Sequence, residues 1–268
     1  MAPTVLITGA SQGIGKATAL LFAQKGYDLV LAARNSDRLN SVAQEILALG
    51  REALVVPTDI SDVAQVNNLV EKALAAYGNI NVLVNNAGIC STGPFENTSL
   101  ADWQQIINVN LWGYIYTTHA LLPQFLAQGA GTIINVGSLG GKVPLPYMTA
   151  YCTSKYAVTG FTETLRLELE PKGIQVCGVH PSATNSDFLE RALFRGEDEK
   201  EANQRRQQME QMLKSPLASQ PEDVAKAIFN LVKHPQAEVI LGTAAVATAT
   251  HKLAPGLMNL ILQGTMKA

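Results

Sequence analysis

Short, nearly all-apolar runs rich in β-branched residues alternate with longer segments of helical period along almost the whole chain. No other feature constrains the fold as strongly. The strand-like runs cover residues 4–8, 28–33, 53–58, 81–85, 131–137 and 174–180, with a weaker one at 238–241. Their side chains are apolar at odd and even positions alike, so both faces of the sheet must be covered. Helical period runs through 13–25, 37–49, 62–77, 101–128, 150–170 and 221–232. Gly26, Gly50, Gly78 and Gly173 follow helices, where a left-handed cap favours a residue without Cβ. Strand–helix–strand alternation implies parallel pairing with right-handed crossovers. The expectation is an α/β fold: one domain, 1–268, built on a doubly wound parallel sheet of about seven strands with helices on both faces.

Composition narrows the classes of function. With 20 Lys+Arg against 22 Asp+Glu, the net charge of −2 does not favour a nucleic-acid backbone as partner. A chain 47% hydrophobic and 16% charged is too apolar for disorder. Cys90, Cys152 and Cys177 have no C-x-x-C spacing, and His119, His180, His234 and His251 form no H-x-x-x-H pair, so no metal site is expected. Reduced thiols point to the cytoplasm. The Met1–Ala2–Pro3–Thr4 start has neither the basic flank nor the apolar length of a signal peptide, and no run reaches a transmembrane length.

The first strand leads into Thr8, Gly9, Ala10, Ser11, Gln12, Gly13, Ile14 and Gly15, after which a helix starts. Glycines there permit a tight turn and let a pyrophosphate approach backbone N–H groups and the helix dipole. Asn85, Asn86, Ala87 and Gly88 end the fourth strand, Ser138 ends the fifth, and Tyr151 and Lys155 open the following helix in Y-x-x-x-K spacing. Four motifs in this order, each at its place in the alternation, resemble the short-chain dehydrogenase/reductase family in its single-domain branch. The resemblance runs from Thr4 to about Gly242 and implies a Rossmann-type fold, a nicotinamide cofactor, a carbonyl or alcohol substrate, and a homodimer or homotetramer.

The Tyr151–Lys155 pair has a physical reading of its own. Residues four apart share a helix face. A free phenol titrates near 10, out of range for proton transfer at neutral pH. A neighbouring ammonium favours the phenolate and is expected to lower that value, so that Tyr151 exchanges a proton with a carbonyl or alcohol oxygen. Tyr147, one turn upstream, has Tyr151 at its i+4 position and no base. The resemblance implies that Ser138 bonds the substrate oxygen, that Lys155 also binds the nicotinamide ribose, and that Asn110 holds a proton-relay water. A mid-helix asparagine needs some such partner.

Cofactor choice is legible at the end of the second strand. An NAD enzyme of this kind places an acid there for the adenine-ribose 2′-OH, whereas this chain has Ala33 and then Arg34. A guanidinium can make charge-assisted bonds to a 2′-phosphate, so NADP(H) is expected over NAD(H). By resemblance, Asp59 contacts adenine and Pro181 and Thr184 the nicotinamide. With Gly9, Ser11, Gly13, Ile14, Gly15, Arg34, Asn86, Gly88, Tyr151 and Lys155 they complete the expected cofactor site.

The connection at 182–216 is too long for an ordinary turn. Its first part, 182–194, reads as a substrate lid and 197–212 as a solvated helix. Segments 90–95, 139–148 and 182–194 would line an apolar pocket, which suits a lipid-like, steroid-like or 3-oxoacyl ketone. The apolar tail 243–268 is expected to be buried against its own chain or a neighbouring subunit. The competing expectation is a non-catalytic NADP(H)-binding regulator. Such a protein need not keep Asn110, Ser138, Tyr151 and Lys155 together, and this chain has all of them.

Overall fold

The computed structural model describes residues 2–215 and 218–267. The last residue of the expected lid, Pro216, and of the tail, Ala268, lie outside the described residues. The chain opens with β1 (Thr4–Thr8), α1 (Gly13–Gln24), β2 (Asp28–Ala33), α2 (Ser36–Ala48), β3 (Ala53–Pro57), α3 (Val63–Tyr77) and β4 (Val82–Asn85). There follow β5 (Ser91–Thr92), α4 (Leu100–Ile107), α5 (Gly113–Gln128), β6 (Gly131–Val136), α6 (Thr149–Leu169) and β7 (Ile174–His180). The last third holds β8 (Leu193–Phe194), α7 (Glu199–Leu213), α8 (Pro221–Lys233), β9 (Glu238–Ile240), α9 (Thr243–Leu253) and α10 (Pro255–Lys267).

Seven strands form one sheet in the order β3-β2-β1-β4-β6-β7-β9, every pair parallel. The strand order reverses between β1 and β4, and a crevice opens there at the carboxyl ends of the strands. One core layer packs Phe22, Leu39, Ile46 and Ile228 from α1, α2 and α8 on the sheet. The opposite layer packs Leu69, Leu121, Phe125 and Leu169 from α3, α5 and α6. This is the expected doubly wound architecture. Gly26, Gly50, Gly78 and Gly173 all have positive φ, as the cap reading required. Asp62 accepts from the N–H groups of Ala64 and Gln65 and so starts α3.

A buried polar ladder sets the sheet's carboxyl edge. Asn85 and Asn135 face each other in register. Asn85 Nδ2 donates to Asn135 Oδ1 at 3.0 Å and Thr118 Oγ1 at 3.1 Å, and Thr117 Oγ1 donates to Asn85 Oδ1 at 2.6 Å. Asn135 Nδ2 donates in turn to Thr162 Oγ1 at 2.9 Å. With its members satisfied, such a network fixes β4 and β6 against α5 and α6.

One sequence expectation needs correction. The single helix at 101–128 is two helices joined by a π-helical turn, Asn108–Trp112. Residues 91–92 and 193–194 pair as a small parallel sheet that no periodicity announces. Asp102 and Arg195 pin it with a two-pronged ion pair at 2.6 and 2.9 Å, which holds the Asp102 carboxyl below its usual range. Within the single chain the tail is partly buried. Ala244, Thr248 and Met258 are, while Leu253, Leu257, Leu260 and Ile261 face outward.

Candidate active site

The turn after β1 is shaped by its glycines. Gly9 and Gly13 have positive φ. A Cβ on Gly9 would fall 2.8 Å from Ala87 Cα, and one on Gly15 would run into the Gly9 carbonyl. Thr8 Oγ1 accepts from the N–H groups of Asn86 (3.0 Å) and Ala87 (3.1 Å), and Asn86 Nδ2 donates to the Thr8 carbonyl at 3.0 Å. The two loops at the crevice are thus one unit, and Asn86 is its tie. Gln12, at the N-cap of α1, makes no side-chain capping bond to the helix, which leaves the helix-start N–H groups for an anion.

A cleft of about 610 Å³ runs from this turn to Ser138, Tyr151 and Lys155. Gly9, Gly13, Ile14, Asn86 and Gly88 line one end, and Ser138, Tyr151, Lys155, Pro181 and Thr184 line the middle. The donor-rich turn, the bare glycine surface and the length of the cleft fit a dinucleotide. Ser11, Gly15, Arg34, Asp59 and Asn110 do not line it. Ser11 and Gly15 are buried in the turn. Arg34 is exposed just past β2. Asp59 Oδ1 accepts from the Ser61 N–H (3.0 Å) and hydroxyl (2.7 Å).

Ser138, extended at φ −172°, starts a short 3-10 turn and accepts from the Gly140 N–H at 3.1 Å. Its side chain lies beside the Tyr151 phenol in the same cleft. Burial pushes that phenol well up, with the nearby Cys90 adding to it and Ser138 opposing. The expected lowering by Lys155 is not what the structure shows. Lys155 Nζ donates to the Val136 carbonyl at 2.9 Å and sits 5.3 Å from the Tyr114 ring centroid. Burial lowers Lys155 to about 8. Burial is the largest cause of the raised phenol, so Tyr151 stays protonated at neutral pH.

Asn110 lies in the π turn and is fully buried. Its Nδ2 donates to the Ile89 carbonyl (2.9 Å) and Ser154 Oγ (3.0 Å), and its Oδ1 accepts from the Ile89 N–H at 2.8 Å. Both amide hydrogens are committed, so toward a relay water the side chain can act only as an acceptor. π turns of this kind recur at functional sites.

Cys90 and Phe188 fall in the segments expected to line the pocket, whereas the α7 and α10 residues and Arg38 escaped the sequence reading. Cys90 lines the cleft beside Tyr151, its thiol pushed up by burial to about 12. Phe188 packs edge-on to Tyr151, ring centroids 6.3 Å apart. Helix α7, expected to be solvated, turns Arg205, Met209 and Met212 into the cleft, and Leu262 of α10 reaches it as well. Arg38, on the first turn of α2, bonds Gln12 in the glycine turn and pairs with Glu190 of segment 182–194 at 2.7 Å. Only Arg38's proximity to Arg34 in sequence could have drawn notice. Among the described residues no cluster of His, Cys, Asp or Glu could hold a metal ion, and no helix is long and apolar enough to cross a membrane.

Comparison with known proteins agrees with this geometry. Residues 3–195 match the family model described as short chain dehydrogenase. The 3-oxoacyl-[acyl-carrier-protein] reductase of Synechocystis is 36% identical over 242 residues, 90% of this chain and 93% of that one. A short chain dehydrogenase/reductase from Burkholderia phymatum, in complex with NAD, superposes with TM-score 0.86 at 28% identity, covering 96% of this chain and 94% of that one. An alcohol dehydrogenase from Thermococcus sibiricus, complexed with 5-hydroxy-NADP, does so at TM-score 0.76 and 28% identity, covering 90% and 96%. The chain belongs to the short-chain dehydrogenase family. It is an oxidoreductase of the kind that acts on alcohols and ketones.

Proposed function

We propose that the protein is an NADP(H)-preferring carbonyl reductase acting on an apolar ketone or a 3-oxoacyl-type substrate. One observation carries this reading. Ser138, Tyr151 and Lys155 line one apolar cleft that begins at an uncapped helix start. The nicotinamide, when bound, supplies or accepts the hydride. Tyr151, held protonated, donates the proton to the carbonyl oxygen, which suits the reductive direction. Ser138 orients that oxygen and stabilises its developing charge. Lys155, near 8, carries positive charge beside the ribose site for much of the neutral range. Asn110 holds the relay water as an acceptor.

In this reading Gly9, Ser11, Gly13, Ile14, Gly15, Asn86 and Gly88 shape the pyrophosphate cradle, Asp59 meets the adenine, and Pro181 and Thr184 flank the nicotinamide. Support for NADP(H) comes from Arg34, exposed after a β2 that ends without an acid, and from Arg38 one helical turn on. Relatives bind either cofactor, as the NAD and 5-hydroxy-NADP complexes show. The relative named as a 3-oxoacyl reductase and the lining by Leu145, Met148, Met209 and Met212 favour an apolar acyl chain. A single catalytic domain, with 182–216 as lid, a cytoplasmic location and self-association complete the proposal. The exposed Trp112, stacked on Tyr116 at 5.6 Å, supports a subunit contact along α5.

The test is NADPH and NADH oxidation over a panel of ketones, aldehydes and 3-oxoacyl thioesters. Tyr151-dependent turnover that favours NADPH and apolar ketones is expected. Turnover restricted to polar sugars, or equal use of both cofactors, would overturn the corresponding part.

A further inference from the structure

The cleft carries charge that ketone reduction leaves unexplained. No aspartate or glutamate lines it among the described residues, and its cations are Lys155, Arg191 and Arg205. Lys155 belongs to the catalytic pair. Arg205 reaches in from α7, with its side chain 14% exposed. Its guanidinium lies 4.2 Å from the Tyr147 ring centroid. Tyr147 has φ +62°, the only positive φ at a described non-glycine residue. Its carbonyl is gripped by the Gly93 N–H at 2.7 Å. Strained backbone of this kind persists where the surroundings over-determine it, commonly at binding sites. Here it sets the aromatic face on which the guanidinium lies.

Among the described residues Arg205 has one protein acceptor, Glu201 Oε1, which takes a 2.6 Å bond from Nη2. Glu201 Oε2 is committed to the Glu197 N–H at 2.6 Å. Arg205 Nε is shielded from solvent with no acceptor, and Nη1 has no acceptor among the described residues. A donor-rich plane left underused in a low-dielectric wall is a costly arrangement that a ligand anion relieves. Guanidinium geometry matches a carboxylate. The surrounding wall is apolar, with Leu145, Met148, Met209 and Met212.

We propose that the substrate is amphiphilic: an aldehyde or ketone joined through an apolar segment to a carboxylate, its carbonyl at Ser138 and Tyr151 and its carboxylate on Arg205. The reacting end rests on the carbonyl-reductase reading, whereas the anion subsite does not. Calorimetric titration of octanoate and of octan-1-ol into the intact protein tests the subsite without turnover. Wild type is expected to bind octanoate at least about ten-fold tighter than octan-1-ol. Arg205→Met should bring the two within about two-fold, with octan-1-ol and NADPH affinities unchanged. Arg205→Lys, which keeps charge but not the fork, should fall between.

Equal affinities in wild type, or a preference for octanoate that survives Arg205→Met, would overturn the proposal. So would weaker binding of both ligands alike in Arg205→Met together with Arg205→Lys. A kinetic arm compares an ω-oxo acid with its methyl ester. Loss of kcat/KM in Arg205→Met confined to the acid supports the subsite, and equal losses contradict it. Arg205-dependent octanoate binding without any carbonyl turnover would sink the reductase reading and leave the subsite standing. Tyr151-dependent turnover with no Arg205 effect would do the reverse.

Discussion

Glu238→Gln removes the carboxylate shared by two buried side chains, Lys142 and His180. Glu238 on β9 pairs with His180 Nε2 at 3.2 Å and with Lys142. The Lys142 side chain is 6% exposed and also reaches Glu163 at 3.2 Å. Lys142 follows the Ser138 turn, Glu163 lies on the Tyr151 helix, and His180 precedes Pro181, so the cluster braces three sides of the site. The contact with His180, with Lys142 behind it, holds Glu238 at about 2 instead of 4.5. At about 1.4 kcal/mol per pH unit, that difference corresponds to at most ~3.4 kcal/mol of folding stability. The Glu238 side chain keeps 27% exposure, so solvent screening reduces the figure to about 1–3 kcal/mol.

The sign follows from a folded value below the unfolded one. The stabilisation is complete above 4.5 and is lost as pH falls toward about 2. Urea unfolding at fixed protein concentration should show Glu238→Gln less stable than wild type by about 1–3 kcal/mol at pH 7, with about half that deficit near pH 3.3. A deficit that stays constant between pH 7 and pH 3, or none at pH 7, would refute the reasoning.

Arg34→Ala should weaken NADPH binding about ten-fold or more, the worth of one charge-assisted bond, and NADH binding little. Titration of bound-cofactor fluorescence measures it, and equal losses would contradict a 2′-phosphate contact. Gly15→Ala puts a methyl against the Gly9 carbonyl and 2.7 Å from Asn86 Nδ2. The cost should be about 1–3 kcal/mol, seen as a Tm lower by several degrees together with weaker NADPH binding. An unchanged Tm and affinity would mean that the turn repacks freely.

The seven main strands were legible because a doubly covered sheet demands continuous apolar runs, and residues 4–8, 28–33 and 174–180 match the observed strands residue for residue. The placing of Ser138, Tyr151 and Lys155 in one cleft was legible because Y-x-x-x-K is local and Ser138 ends a strand. The π turn was not. Nothing in Asn108, Val109, Asn110, Leu111 and Trp112 breaks a helix, and the extra residue per turn goes with bonds from Asn110 to Ile89 and Ser154, distant in sequence. The β5–β8 pair is too short to show a period. Helix α7 reads as solvated because its mean composition is polar, and only the fold shows that Arg205, Met209 and Met212 share the face over the cleft. The Lys142–Glu238–His180 cluster joins residues from three elements and has no sequence signature. The burial that raises the Tyr151 phenol was not legible, because a pair of residues does not reveal its own burial.

The most direct test is NADPH consumption with an apolar ketone by wild type and by Tyr151→Phe, which keeps the ring's packing against Phe188 and removes only the proton donor. The expected result is turnover in wild type and a loss of at least about a hundred-fold in kcat with NADPH affinity unchanged. Wild-type rates in Tyr151→Phe would contradict the assignment of Tyr151 as the proton donor.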